Sequence, residues 1–173
     1  MAADALRATL ALFGCVILQS SILSSLDVLG GTPDLVLVVL VAVALLRGSI
    51  FGALVGFWAG FLLDTATLDT LGVTALLLTV AGFWIGRYGE TTARDRTHAP
   101  FVSVFVVTIL VTFGGIVLDY VLSESAPARV ALASLPATLA LNLLLTVPVY
   151  GLARRLFPPR ELGDRAREVR LLG

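Results

Sequence analysis

The stretch from Arg47 to Gly72 reads RGSIFGALVGFWAGFLLDTATLDTLG, with glycines at 48, 52, 56 and 60 and an aspartate at the next step of four, Asp64. Residues four apart lie one turn apart on nearly the same helix face. The spacing therefore predicts a helix with a narrow stripe free of side chains that ends in a carboxylate. In water such a helix would be poor, because each glycine costs roughly 1 kcal/mol relative to alanine. In a bilayer the backbone must bond to itself regardless, and small residues let a second helix approach closely. The stripe reads as a packing surface.

Working outward, the 173 residues are 58% hydrophobic and 14% charged, against about 25% charged in an average soluble domain. Mean hydropathy is +0.99. The apolar residues come in long blocks rather than in alternation, which marks an integral membrane protein. The expected fold is all-α: one transmembrane domain over residues 1–157, a bundle of six helices, followed by a charged cytoplasmic tail over 158–173. The single cysteine, Cys15, excludes a disulfide framework and a cysteine zinc site. The first apolar block lacks a strongly basic start and is long enough to remain as a helix, so a cleaved signal peptide is not expected.

In chain order, the first helix is expected over about 5–26, with Gln19 and the neighbouring serines placed to hydrogen-bond to another helix. Thr32-Pro33-Asp34 reads as a helix start: capping hydroxyl, proline in the first turn, carboxylate near the amino end. The second and third helices, about 34–46 and 49–63, are short for a hydrocarbon core of about 30 Å. Two crossings with Arg47 snorkelling to the interface are favoured over a re-entrant hairpin, which would bury that arginine. The fourth helix is expected over about 71–88, anchored by Trp84 and Tyr88. The fifth is expected over 100–122 and the sixth over 131–157, with Pro136 and Pro148 flanking Asn142.

Six crossings place eleven arginines on one side (Arg7, Arg47, Arg87, Arg94, Arg96, Arg154, Arg155, Arg160, Arg165, Arg167 and Arg170) and Arg129 alone on the other. Positive charge favours the cytoplasmic side, so both termini are expected there. Asp27, Asp34, Asp64, Asp69, Asp119 and Glu124 fall on the outer side.

Asp34, Asp64 and Asp119 are expected at helix ends near the outer interface. Asp64 stands at a helix carboxyl end, where the dipole disfavours an anion. It therefore calls for a partner, such as the Thr67 hydroxyl or a group on another protein. Nothing assembles a catalytic site. No aspartate pair with a companion glycine motif is present, His98 is the single histidine and lies in a polar connection, and no phosphate-binding loop precedes a lysine. No cofactor or metal is expected.

The order Gln19-Ser20-Ser21, Pro33-Asp34-Leu35, Arg47-Gly48, Gly52, Gly56, Gly60, Leu62-Leu63-Asp64, Leu71-Gly72 and Ala75-Leu76 resembles the rod shape-determining protein MreD family, over about Leu18 to Gly86. That resemblance implies a non-enzymatic component of the bacterial elongation machinery in the inner membrane. It implies MreC, a single-pass protein, as partner, in a complex with the MreB filament, RodA and a penicillin-binding protein that makes lateral peptidoglycan. The family fold looks like the substrate-binding components of vitamin (energy-coupling factor) transporters. On this reading Asp34, Gly48, Gly52, Gly56, Gly60 and Asp64 form a groove for the partner's transmembrane helix, while Gln19 and Asn142 join helices. The competing reading is a small-molecule importer subunit with an outward pocket drawing on Gln19, Trp58, Asp64, Asn142 and Tyr120.

Overall fold

The computed structural model describes residues 2–21, 30–68, 70–93, 98–122 and 128–157. Six α-helices run through them: α1 (Ala2–Ser21), α2 (Leu35–Arg47), α3 (Ser49–Thr67), α4 (Val73–Tyr88), α5 (Ala99–Val121) and α6 (Ala128–Leu156). A π-helical turn, Gly89–Ala93, extends α4. The expected end of the first helix at Leu26, the acids Asp27, Asp69 and Glu124, Arg94, Arg96 and the tail from Pro158 lie outside the described residues.

The bundle is built around its shortest α-helix. The sequence of α2, LVLVVLVAVALLR, is apolar on every side up to Arg47, and a helix hydrophobic all round belongs in an interior. From Val36 to Leu46 every residue except Val39 is buried. All five other helices pack on it. At about 1.5 Å per residue α2 is about 20 Å long. That length is short for a lipid-facing span and ordinary for a helix that meets protein on every side, as α2 does. Helices α3, α5 and α6 are each long and apolar enough to cross a membrane. The outer faces carry Leu10, Phe13, Ile17, Leu54, Phe57, Trp58, Phe61, Phe105 and Leu144, all exposed. So much apolar surface would be a liability in water and is the ordinary exterior of a protein in lipid.

One residue joins α2 to α3. Gly48 has φ +95°, donates its amide to Ala44 O at 2.9 Å and accepts from Gly52 N at 2.9 Å. A hinge of this length needs the positive-φ region that glycine enters freely. The chain turns back again at Leu68 (φ 58°) and Gly72 (φ 100°), which lays α4 antiparallel on α3. Pro136 and Pro148 both lie within the continuous helix α6.

Candidate functional site

The glycine stripe is filled from within the chain. A methyl group on Gly52 would overlap the carbonyl of Gly82; on Gly56, that of Leu78; on Gly60, the backbone of Ala75. The opposing helix repeats the arrangement, with Gly82 on the Gly52 carbonyl and Gly86 on Gly48 and Ser49. Two antiparallel helices thus meet backbone to backbone. The expected groove for a foreign helix is corrected on this point, since α4 occupies the face that Gly52, Gly56 and Gly60 present.

Carboxylates hold the ends of this interface. Asp64 is fully buried; its Oδ2 accepts from Gly72 N at 2.8 Å and Ala75 N at 3.3 Å. The carboxyl end of α3 therefore caps the amino end of α4, where free amides and the helix dipole favour an anion. These amides are the partner of Oδ2, while Oδ1 is buried with no partner among the described residues; the partner is not Thr67, whose hydroxyl donates to Leu63 O at 3.0 Å. At the other end Glu90 reaches across from the π-helical turn. Its Oε1 accepts from Ser49 N at 2.8 Å and from Ser49 Oγ at 3.1 Å, and its Oε2 lies 3.8 Å from Arg87 Nη1. Glu90 escaped the sequence reading because it lies 41 residues from the amide it caps.

Asp34 belongs to a third arrangement. It is the N-cap of α2, its Oδ1 accepting from Leu37 N at 3.0 Å. Gln19 of α1 donates to the same oxygen at 3.1 Å and accepts from Val36 N at 2.8 Å. Asn142 of α6 accepts from Asp34 N at 2.8 Å and donates to Thr108 Oγ1 of α5 at 3.1 Å. Four helices are thereby tied at one level. Asn142 is the midpoint of α6, about 21 Å from either end. The expectation that Asp34 lies at the outer interface is corrected: it sits at mid-height, because α5 and α6 run on well past the start of α2. Gly31 presses on Ala137 and Thr138 along the same face of α6.

The residues that an importer pocket would need do not converge. Gln19, Asp64 and Asn142 are engaged as described, while Trp58 and Tyr120 are 58% and 85% exposed on the outside. Among the described residues no three of His, Cys, Asp and Glu come together as metal ligands. At the end of the bundle that holds the α2–α3 joint, the Arg47 guanidinium lies 5.5 Å from the Phe157 ring centroid, joining α2 to the end of α6.

The chain's residues 6–157 match the family model of the rod shape-determining protein MreD. The chain belongs to the MreD family. No curated protein and no solved structure matches it. Membership assigns a role in rod-shape determination and accords with the three membrane-length helices. Within an MreD-family chain, the glycine stripe and Asp64 have a structural assignment, the closure of α3 on α4.

Proposed function

We propose that this chain is a non-enzymatic scaffold of the cell-elongation machinery in the bacterial inner membrane, crossing it six times with both termini in the cytoplasm. It docks the transmembrane and juxtamembrane segment of MreC and sits among membrane lipids in a hetero-oligomer with MreB, RodA and a penicillin-binding protein. The observation that carries this reading is the family match over residues 6–157. The geometry agrees with it. The interior is closed by backbone contact and hydrogen bonds, so binding capacity resides on the outward faces. The arginine asymmetry supports the orientation. It is supported further by the placement of Arg47, Arg87 and Arg154 toward one end of the bundle with Glu90 and Phe157. Six helices are the number that the proposed likeness to the vitamin-transporter components calls for.

Depletion of the chain from a rod-shaped host tests the reading. Cells should widen and round while labelled wall precursor stops entering the lateral wall. Unchanged shape with unchanged lateral incorporation would overturn it.

A further inference from the structure

Of the three acids Asp34, Asp64 and Asp119, the first two accept hydrogen bonds from backbone amides at helix amino ends. Asp119 has no such use. It makes no hydrogen bond or ion pair among the described residues. It also stands in the last turn of α5, which ends at Val121, where the helix dipole opposes a negative charge. The anion is therefore placed where a cation would stabilise it.

Asp119 lines a cleft of about 260 Å3 between α4 and α5, with Thr70, Val73, Thr74 and Leu77 on one wall and Val111 and Gly115 on the other. The adjacent glycines divide the work. Gly114 faces Leu77, whereas a methyl group on Gly115 would meet nothing within 4 Å, which leaves the cleft open beside the acid. At ~30 Å3 per water the space holds roughly nine waters, enough for one long side chain and too little for a helix. Threonine hydroxyls and a carboxylate suit the donors of an arginine or lysine. By the sequence expectation Asp27, Asp64, Asp69, Asp119 and Glu124 share the outer side with Arg129 as the one basic residue, so the surrounding charge also favours a cation. The larger groove between α1 and α3, lined by Leu12, Phe51, Leu54, Trp58 and Leu62, offers Thr9 and the Trp58 indole as polar groups and no charge.

Resting on the docking role proposed above, we infer that the α4–α5 cleft receives a basic side chain of the single-pass partner, at the point where its transmembrane segment leaves the bilayer, and pairs it with Asp119. The partner's helix then lies along the outer faces of α4 and α5, away from the glycine stripe.

Co-expression with tagged MreC and purification in mild detergent tests this. The wild-type chain should co-purify; Asp119→Asn should lower the recovered complex roughly tenfold, and Asp119→Arg should abolish it. Exchanging the partner's basic residue at that level for glutamate should restore binding to Asp119→Arg. Gly115→Leu, whose Cβ would meet nothing within 4 Å and whose side chain would occupy the cleft, should also weaken binding while the unfolding temperature of the isolated chain holds. Full binding by stable Asp119→Arg and Gly115→Leu chains would overturn the cleft and leave the docking role intact. Failure of the wild-type chain to bind would overturn both. Loss of co-purifying ethanolamine lipid from Asp119→Asn, with partner binding unchanged, would make the occupant a headgroup and likewise overturn the inference.

Discussion

Gly56→Ala adds one methyl group where α3 meets the Leu78 carbonyl of α4. Real contacts to a Cβ lie almost entirely beyond 3.0 Å, so the two helices must part by roughly 0.5–1 Å, which forfeits a quarter to a half of each dispersion contact along the seam. Overpacking of this kind costs about 1–3 kcal/mol. The better helix propensity of alanine offsets at most about 1 kcal/mol, leaving a net loss near 1–2 kcal/mol. Gly151→Ala is the internal control: the same chemical change in α6, at a position where a methyl group meets nothing within 4 Å. It should be neutral or stabilising by up to about 1 kcal/mol. Thermal unfolding in one detergent, followed by size-exclusion recovery, reads the difference. At roughly 2–4 °C per kcal/mol for a chain of this size, the two variants should separate by several degrees with opposite signs. Equal unfolding temperatures would refute the claim that the stripe is consumed inside the fold.

Asn142→Leu strands the Asp34 amide and removes the link to Thr108, at a cost of about 1–3 kcal/mol; an unchanged unfolding temperature would remove the four-helix tie from the account. Asp64→Ala deprives α4 of its cap, worth about 0.5–2 kcal/mol. Hydrogen exchange should therefore speed up at Gly72 and Ala75, with Asp64→Asn intermediate because it keeps one acceptor. Gly48→Ala must hold φ +95° and displace the Glu90 carboxylate, with backbone strain alone of order 1–3 kcal/mol. It should be the least stable of the glycine-to-alanine variants, and a stability equal to Gly151→Ala would contradict the one-residue joint.

The stripe was legible because a period of four admits one reading, a helix face without side chains. What filled it was not, since nothing in the period says whether the second helix belongs to the same chain. Its mate, Ala75-Leu78-Gly82-Gly86, is spelled more loosely and passes for ordinary apolar sequence. The central place of α2 escaped for a related reason. Lipid tails are as apolar as leucine, so an all-round hydrophobic helix carries no mark distinguishing a lipid exterior from a protein interior. Its thirteen-residue length was the available clue, being short for a span and ordinary for a core helix. The helix dipole calls for a partner to Asp64 without naming it, because that partner's identity depends on the turn at Leu68 and Gly72. The depth of Asp34 depends on how far α5 and α6 overrun α2, a tertiary offset with no local signature.

Native mass spectrometry of the tagged chain, released from its own membranes in mild detergent, bears most directly on the scaffold reading. The account predicts the chain in complex with MreC and no retained small molecule. A chain carrying a vitamin-sized ligand, or one joined to ATPase subunits in place of MreC, would contradict it.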